Sequence, residues 1–388
     1  MPKAFILSAC RTPIGRFLGG LGEIPAPELA AVAARAALER SGISPREIDE
    51  AVVGCARQAG NGPNVARQAA IRAGVPCSVP AFTVNKACAS SLKALALGVQ
   101  SIVAGDCGLM LVAGVESMSR VPFLLDRARG GYRLGSGEAV DAMYRDGFLC
   151  PLCGEVMGAT AERLAERFSI SRAEQDSYAV SSQRRCERAR KEGRFREEIV
   201  PVRAGDRTIT EDETPREGVT EASLSGLPPV FKPGGTVHAG NSSSLADGAA
   251  ALIVASEEVV RSRGLRPLAA VTGCVSVGLD PAEMGLGPVP ALRALERKVG
   301  WGPHQADLVE LNEAFAAQLL ACDRELRLDR ERLNVNGGAI ALGHPVGATG
   351  ARLVTTLLHE MRRRDARRGI VTLCVSGGLG MAVAFEKP

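Results

Sequence analysis

Short apolar runs alternate along this chain with longer segments of helical periodicity. The runs predict strands and the periodic segments predict helices. In its first part the predicted strands are Ala4–Ala9, Glu50–Gly54, Ala81–Asn85 and Leu109–Gly114, and the predicted helices are Ala26–Arg40, Asn64–Ala73 and Ser90–Ala104. This alternation is typical of α/β folds, and 388 residues suffice for roughly two to three domains.

From about residue 118 to residue 243 the pattern loosens, and glycine, proline and charged residues crowd RARGGYRLGSG and GVTEASLSGLPPVFKPGGT. Two helices are predicted there, Met157–Phe168 and Arg172–Glu192, the second opened by a capping box of Ser171 and Glu174. We therefore predict an inserted, loop-rich domain that covers another part of the protein. The α/β pattern then returns, with strands at Gly248–Ala255, Leu268–Val277, Asp307–Asn312, Gly369–Val375 and Met381–Phe385 and helices at Ala291–Val299, Ala314–Leu326 and Thr349–Arg363.

A faint internal repeat links two distant parts of the chain. The segment VNKACASSLKALALGVQSIVAGD, followed by CGLMLVAGVESMS, has a counterpart in VNGGAIALGHPVGATGARLVTTLLHEMRRRDARRG, followed by IVTLCVSGGLG. Each is predicted as a strand ending in Val-Asn, a turn of small residues, a helix, and a strand that runs into a Gly/Ser loop. The repeat suggests a duplicated unit, with special turns at matching points where ligands bind in α/β folds.

Composition excludes several classes of protein. Apolar residues make up 46% of the chain and charged residues 23%, which is typical of globular domains and excludes intrinsic disorder. A net charge of +4 is too small to indicate nucleic-acid binding. The sequence shows neither the apolar segment of a signal peptide nor a run of about 18 consecutive apolar residues. We therefore expect a cytoplasmic protein with no membrane-spanning segment.

Eleven cysteines are the unusual part of the composition. An odd number without a secretion signal argues against a disulfide framework and for reduced thiols. The one Cys-x-x-Cys pair, Cys150 and Cys153, has no second pair or nearby histidine to complete a zinc site, and a redox role for it is a minor hypothesis. Most of the cysteines are expected to be small buried packing residues.

Cys88 lies just after a predicted strand and at the start of a predicted helix. The dipole of a helix N-terminus lowers the pKa of a thiol, and backbone N–H groups there can bind an oxyanion. Cys88 is therefore a candidate nucleophile. A buried small residue at a strand–helix turn is an equally good interpretation of its position alone.

Histidine supplies the candidate bases, and the chain has four: His238, His304, His344 and His359. His359 lies in an amphipathic helix and His304 in a proline-flanked turn, so both are expected at the surface. His344 lies in NGGAIALGHPVGATG, where a proline follows it and five glycines permit close approach of backbone. A histidine packed in a core rarely needs so much glycine, which favours a functional role.

Cys374 ends an apolar strand and enters the loop VSGGLG, whose backbone could bind an anion. The loop lacks the Lys-Ser/Thr and the following helix of a nucleotide-binding loop, and it is not a dinucleotide fingerprint. No cluster of metal ligands appears in the sequence. Asn312 and Glu313, at the end of the strand Asp307–Asn312, complete the set of candidate functional residues.

The segments that carry these residues resemble the ordered motifs of the thiolase family. They are ILSACRTPIGRFLGGL, NKACASSLKA, AGNSSSLADGAA, NEAFAAQ, NVNGGAIALGHPVGATGAR and CVSGGLGMAVAFE. The resemblance runs nearly from end to end and implies a five-layered αβαβα fold of two similar halves, with a loop domain over the active site. The implied division is a first half at 1–117, completed by about 244–266, an inserted domain at 118–243, and a second half at 267–388.

The resemblance also implies a reaction. A 3-ketoacyl-CoA is cleaved by CoA, or two acyl-CoA units are condensed in reverse, with CoA as substrate and no cofactor. Cys88 would carry the acyl group as a thioester, activated by His344, and Cys374 would act as general acid and base. Asn312 would hold a water at the enolate site, and the backbone N–H groups of Cys88 and Ser376 would bind the oxyanion of the acyl-enzyme.

Six further positions match residues that line the substrate channel of relatives: Met157, Arg216, Ser223, Ala239, Ser243 and Phe315. For Arg216 and Ser223 an ordinary surface loop is the alternative interpretation. The RGGYRLG stretch resembles a contact loop of tetrameric relatives, so we expect a homodimer or a tetramer built from two dimers.

The chain departs from the family pattern at several positions. Ser91, Ser244 and Ser376 stand where relatives often have glycine, and Val156 stands where acetoacetyl-CoA thiolases often have histidine. These departures leave the acyl chain length and the direction of the reaction open. Two alternatives to an active thiolase also stay open. One is a non-catalytic acyl-CoA-binding relative, and the other is a decarboxylating ketoacyl synthase, which typically has histidine or asparagine partners where this chain has Cys374.

Overall fold

The computed structural model describes residues 3–388. Its strands are β1 Ala4–Arg11, β2 Gly15–Arg16, β3 Glu50–Gly54, β4 Ala81–Val84, β5 Leu109–Ser117, β6 Phe123–Leu124, β7 Val140–Asp141, β8 Leu149–Cys150, β9 Glu155–Val156, β10 Val202–Ala204, β11 Arg207–Ile209, β12 Ala246–Ser256, β13 Ala269–Gly278, β14 Leu308–Leu311, β15 Arg368–Val375 and β16 Leu379–Glu386. Its α-helices are α1 Ala26–Ser41, α2 Val65–Arg72, α3 Ser90–Ala104, α4 Met157–Arg167, α5 Arg172–Lys191, α6 Glu221–Ser225, α7 Glu257–Ser262, α8 Pro288–Val299, α9 Ala316–Leu326, α10 Ala339–Leu342 and α11 Thr349–Arg364.

The predicted elements are confirmed, most of them to within a few residues, and β3 and α3 have the predicted bounds. The capping box of α5 is also confirmed: Ser171 Oγ accepts from the N–H of Glu174 at 3.2 Å, and the Glu174 carboxylate accepts from the N–H of Ser171 at 2.8 Å. One prediction is wrong. Val335 and Asn336 lie in a turn, because only Leu333, by a single parallel bridge to Val309, joins the sheet there.

The main sheet contains the same topology twice. One half has the order β4-β3-β5-β12-β1, in which β3 runs parallel to β4 and β5 while β12 is antiparallel to β5 and β1. The other half has the order β14-β15-β16-β13, with β14 parallel to β15 and with the bridge at Leu333 in the position that corresponds to β4. The duplication suggested by the sequence repeat is therefore present in the strand order and strand directions.

Helices and half-sheets form five layers, as the resemblance implied. Helices α1 and α2 cover the outer face of the first half-sheet, and α8 and α9 cover the outer face of the second. Helices α3 and α11 pack against each other and against the inner faces of both half-sheets. Strand β5 shows the alternation this requires, since Leu109 and Leu111 belong to the outer core and Met110 and Val112 to the central one. The two half-sheets join where β1 pairs antiparallel with β13.

Helix α3 explains an unexpected feature of the sequence. The stretch Ala87–Ala104 is long and apolar enough, by length and composition, to cross a membrane, and 50% of it is buried inside the protein. A helix of the central layer contacts other protein on two faces and therefore needs few polar residues. Its position between the half-sheets accounts for its apolar composition.

The segment between β5 and β12 contains the small sheets β6–β7, β8–β9 and β10–β11 and the helices α4 to α6. Arg11 of β1 fixes part of it, because its buried guanidinium pairs with Glu198 at 2.7 Å and with Asp212 at 2.6 Å. Removing one partner of such a buried pair leaves an uncompensated charge. The domain boundaries inferred from the sequence stay a prediction.

Ser91 connects the two halves within the central layer. Its Oγ accepts a hydrogen bond at 2.9 Å from the backbone N–H of Ala351, in the first turn of α11. The N-cap residue of α11, Ala348, has no side chain that can accept from these N–H groups, so a serine of α3 satisfies one of them. Glycine at position 114 makes room, because a Cβ there would collide with the Cβ of Ser91.

We predict that Ser91→Ala lowers the free energy of unfolding by about 1 kcal/mol, because a buried N–H of α11 loses its acceptor. Urea unfolding measures the change. Ser101→Ala, at a half-buried position on the same helix, is the matched control and should stay within about 0.5 kcal/mol of the parent protein. Equal loss in both variants would contradict the capping role of Ser91.

Candidate active site

Cys88 lies in a tight turn between β4 and α3. Asn85 shapes the turn, since its Oδ1 accepts from the N–H of Ala87 at 2.9 Å and its Nδ2 donates to the Ala56 carbonyl at 3.1 Å. Ala87 has a φ of 43°, a left-handed conformation that residues other than glycine seldom adopt. This strained residue directly precedes Cys88 and presents the thiol at the end of the strand.

The thiol of Cys88 has an environment different from the one expected. Burial raises its pKa, while the charge of Arg57 and the backbone N–H of Ser376 oppose the increase. The expected lowering by the helix N-terminus is therefore wrong in direction, because desolvation outweighs the nearby dipoles. A base next to Cys88 is needed to make the thiolate at neutral pH.

Cys374 lies near the end of β15, and Ser376 begins the turn between β15 and β16. The turn depends on Gly377 and Gly378, with φ of 85° and 78°. A Cβ at Gly378 would collide with the Leu279 carbonyl, so glycine is required there both by the positive φ and by the lack of space. Cys374 is 1% exposed, and burial together with the neighbouring Cys88 raises the pKa of its thiol well above the ordinary value. Both cysteines and the Ser376 N–H therefore meet at one place.

His344 belongs to the same half of the protein as Cys374, and its loop reaches Cys88 of the first half, since Val346 packs in one apolar cluster with Cys88. It lies between α10 and α11, after Gly343, whose φ is 85°. Its backbone N–H donates to the Ser244 carbonyl at 3.0 Å, and its Nδ1 lies 2.6 Å from Thr349 Oγ1. Burial, followed by the charges of Arg352 and Arg57, lowers the pKa of the imidazole to about 3. His344 is therefore neutral throughout the physiological pH range.

The partners of Thr349 decide which nitrogen of His344 carries the proton. The hydroxyl of Thr349 has one hydrogen and donates it to the Pro345 carbonyl at 3.0 Å. It can then only accept from Nδ1–H of His344, which leaves a lone pair on Nε2. Within residues 3–388, Nε2 has no hydrogen-bond partner. This is the arrangement of a histidine that accepts a proton through Nε2.

Asn312 follows β14 and is fully buried. Its backbone N–H donates to the Thr372 carbonyl at 3.0 Å, while neither polar atom of its side chain has a partner in the part of the chain that the structure describes. Buried amides are normally paired, so the free donor and acceptor are available to a ligand or a water. The adjacent Glu313 is structural by comparison, since its carboxylate accepts from Tyr178 and Ser182 at 2.7 Å each.

Two charged residues that the sequence did not single out also belong to this region. The buried carboxylate of Glu116 accepts from the N–H groups of Ala56 at 3.1 Å, Arg57 at 2.9 Å and Gly347 at 2.8 Å. Glu116 therefore joins the Cys88 half to the His344 loop. The guanidinium of Arg57 packs against Gly147; its charge opposes the increase in the pKa of Cys88 and contributes to the lowering of the pKa of His344. No local sequence pattern identifies Arg57 or Glu116, because the residues they contact are distant in sequence. Thr349 is different: it lies five residues after His344 in the same glycine-rich segment, so its spacing could have identified it.

Three of the predicted channel residues lie near Cys374. Met157, the first residue of α4, and Phe315 pack with Cys374 in one small apolar cluster. Ser243 is tied to the same place by its N–H, which donates to the Ala314 carbonyl at 3.0 Å. The ring of Phe231 meets that of Phe315 edge to face, with 6.0 Å between centroids. An apolar wall thus faces the buried thiol.

The other three, Arg216, Ser223 and Ala239, are exposed. Arg216 donates its backbone N–H to the side chain of Gln183 at 3.2 Å. Ser223 is in α6, and its hydroxyl takes part in a capping box with Thr220. Their contacts leave the channel role of these residues a prediction.

The departures from the family pattern cause no backbone strain. None of Ser91, Ser244 and Ser376 is among the described residues with positive φ, so no glycine is required at these positions. Val156 precedes α4 in extended conformation, with φ −76° and ψ 151°.

The expectation of a surface position is wrong for His359. Its Nε2 lies 3.0 Å from the Ala9 carbonyl, and the side chain is buried because α11 is a central helix and not a surface one. His304 is exposed, as predicted. Within residues 3–388, no group of three or more His, Cys, Asp or Glu side chains is arranged to hold a metal ion.

Comparison with known proteins places this site in a family. A family model described as the N-terminal domain of thiolase matches residues 4–258, and one described as the C-terminal domain of thiolase matches residues 265–387. Acetyl-CoA acetyltransferases from Cupriavidus necator and Pseudomonas aeruginosa are each 48% identical over 392 aligned residues, which cover 100% of both chains.

Solved structures agree over the whole chain. The acetyl-CoA acetyltransferase from Syntrophomonas wolfei superimposes with a TM-score of 0.98 at 41% identity, covering 100% of this chain and 99% of its own. Human mitochondrial 3-ketoacyl-CoA thiolase in complex with CoA superimposes with a TM-score of 0.97 at 40% identity, covering 100% of this chain and 98% of its own. The chain therefore belongs to the thiolase family.

Proposed function

We propose that this thiolase is an acetyl-CoA acetyltransferase, which cleaves a 3-ketoacyl-CoA with CoA and carries out the reverse condensation of acetyl-CoA. The observation that carries the proposal is the meeting of the Cys88 thiol, the Ser376 N–H and the buried Cys374, with the loop of His344 packed against Cys88 through Val346. The relatives named acetyl-CoA acetyltransferase, which match over their whole length, support acetyl as the acyl group that is transferred. The human thiolase in complex with CoA supports CoA thioesters as the substrate class.

In the first half-reaction Cys88 attacks the 3-keto carbon. His344, neutral and with its lone pair on Nε2, accepts the thiol proton. The C2–C3 bond of the substrate then breaks, leaving an acyl thioester on Cys88 and the enolate of acetyl-CoA. The raised pKa of Cys374 suits it to donate a proton to that enolate, because the thiol is protonated before the reaction.

In the second half-reaction the thiol of CoA attacks the acyl thioester. The exchange of one thioester for another is close to balanced, so the same residues run it in either direction. The Ser376 N–H binds the oxyanion, where one such donor contributes roughly 3 kcal/mol. A water on Asn312 completes the enolate site. Synthesis uses the steps in reverse, with Cys374 taking the proton from the acetyl methyl group.

The exposed side chains and the free thiols support proposals about oligomeric state and cellular compartment. Leu134 is 99% exposed and Tyr132 40% exposed in the RGGYRLG loop, and an apolar loop of this kind is covered when copies of the chain associate. We therefore propose a homotetramer, to be checked by light scattering. All eleven cysteines are free, which suits a reducing cytoplasm, and the proposed reaction belongs to fatty acid metabolism.

Chain length decides between the proposed function and its alternatives. We expect thiolysis of acetoacetyl-CoA with a higher kcat/KM than of longer 3-ketoacyl-CoAs, because Met157, Phe231 and Phe315 crowd the wall next to Cys374. Cys88→Ala should abolish turnover, and the parent protein should gain an acetyl group on Cys88, detected by intact mass, after mixing with acetyl-CoA. If no 3-ketoacyl-CoA of any chain length is turned over, the protein is a non-catalytic acyl-CoA-binding relative. Condensation that requires malonyl-CoA would instead indicate a decarboxylating ketoacyl synthase.

Thr349 provides a second test, because it is fully buried and orients His344 through Nδ1. We predict that Thr349→Val lowers kcat about tenfold and leaves KM nearly unchanged, since the imidazole loses the acceptor that fixes its tautomer. Thr349→Ser keeps the hydroxyl and should retain most of the activity. Equal loss in the two variants, or a loss confined to KM, would refute the positioning role.

The lowered pKa of His344 predicts an unusual pH dependence. The folded-state pKa, about 3, is below the ordinary value of 6.5, so between these values the unfolded chain binds a proton that the folded chain does not. Stability from His344 is therefore present above pH 6.5 and falls by about 1.4 kcal/mol per pH unit as the pH drops below it. Urea unfolding of the parent and of His344→Gln from pH 7.5 to pH 5 measures this; parallel curves would contradict the prediction.

A further inference from the structure

The Cys-x-x-Cys pair occupies the hairpin between β8 and β9, which leads directly into Met157 and α4. Leu149 pairs with Val156 and Cys150 with Glu155, so the turn comprises residues 151–154. Gly154 closes it with a φ of 71° and donates its N–H to the Cys150 carbonyl at 2.8 Å. The proposed reaction uses neither cysteine.

The turn brings the two thiols together. Residues three apart across a tight turn have Cα atoms within about 7 Å, and disulfides span about 4.4–6.8 Å between Cα atoms. The two thiols are close enough for each to shift the pKa of the other. A disulfide here therefore needs a change of side-chain torsions and little movement of the backbone.

The two thiols are chemically unequal. Burial opposes ionisation of Cys150, but the nearby backbone N–H groups of Cys153, Leu152 and Gly377 outweigh it and lower the pKa of the thiol. Burial and the neighbouring Cys150 raise the pKa of Cys153, which is the more exposed of the two. A low-pKa thiolate next to a second, protonated thiol is the arrangement of a redox-sensitive pair.

We propose that Cys150 and Cys153 form a reversible disulfide on exposure to a small peroxide, and that this modification lowers the activity of the neighbouring active site. The Cys150 thiolate attacks one peroxide oxygen, the O–O bond breaks, and Cys150 becomes a sulfenic acid while hydroxide leaves and is protonated to water. The sulfur of Cys153 then attacks Cys150, its proton goes to the departing hydroxyl, and a second water leaves. Two thiols are oxidised and one peroxide is reduced to two waters.

Gly377 carries the effect to the active site, a consequence that rests on the proposed function. Its N–H lies close enough to the Cys150 sulfur to lower the pKa of that thiol, and the N–H of the preceding residue, Ser376, does the same for Cys88. A neutral disulfide sulfur is a weaker acceptor than a thiolate, so oxidation releases the turn that holds Ser376. The oxyanion donor is then less well placed, and kcat falls while the thiols of Cys88 and Cys374 stay reduced.

Peptide mass measures the disulfide without any assay of activity. Cleavage after Arg145 and Arg163 gives one peptide, 146–163, that holds both cysteines and no other. After treatment of the full chain with dilute hydrogen peroxide and alkylation of free thiols, we expect this peptide to be unalkylated and about 2 Da lighter than its reduced form. Dithiothreitol should reverse the change. A peptide that stays reduced while Cys88 is oxidised overturns the proposal.

Activity measures the consequence. Oxidised protein should show a kcat for thiolysis roughly tenfold lower, restored by dithiothreitol. Cys150→Ser and Cys153→Ser should be insensitive at the same dose, whereas Cys77→Ser, which removes an exposed cysteine elsewhere, should respond like the parent. Equal loss in all variants, or a disulfide without loss of activity, overturns the regulatory role. If the reduced protein shows no thiolysis activity, the proposed function is refuted. The peptide mass measurement then still decides whether the Cys150–Cys153 disulfide forms.

Discussion

The buried carboxylate of Glu116 holds the active site together. It extends from β5 in the first half and accepts N–H groups both from the turn after β3 and from Gly347, three residues after His344. Burial raises its pKa, and these hydrogen bonds offset the cost of the charge. The nucleophile and its base come from different halves, so the distance between them depends on hydrogen bonds that connect the halves. The hydrogen bond from the Ala351 N–H to Ser91 is a second example.

Local pattern predicted much of the fold. The helix Ser90–Ala104 and the strand Glu50–Gly54 have periodicity and turn residues that agree with their tertiary surroundings, and the capping box at Ser171 is a local interaction. The candidate Cys88, His344 and Cys374 could be found for the same reason, since special turns leave glycine and small residues in the sequence. The turns indicate a candidate nucleophile and a candidate base, whereas the full assignment of roles to Cys88, His344 and Cys374 is implied by the family resemblance.

What escaped prediction depends on contacts between distant residues. Arg57 and Glu116 resemble ordinary surface charges in sequence, and only the return of the chain at Gly347 makes Glu116 a buried joint. The expected surface position of His359 is wrong because an amphipathic pattern does not reveal that a helix is covered on both sides. The direction of the Cys88 pKa shift is likewise not predictable from sequence, which shows the helix that begins beside the thiol but not the desolvation of the thiol in the fold.

The central position of β1 also limits the order in which the chain can fold during synthesis. Phe5 pairs with Ala255 on one side and with Ala270 on the other, and Arg11 is neutralised by Glu198 and Asp212. Strand β1 therefore leaves the ribosome long before β12 and β13, and it waits for both neighbours until they have been made. Contacts of such long range slow folding and expose apolar edges meanwhile. We therefore expect the nascent chain to depend on a chaperone until β13 has been synthesised.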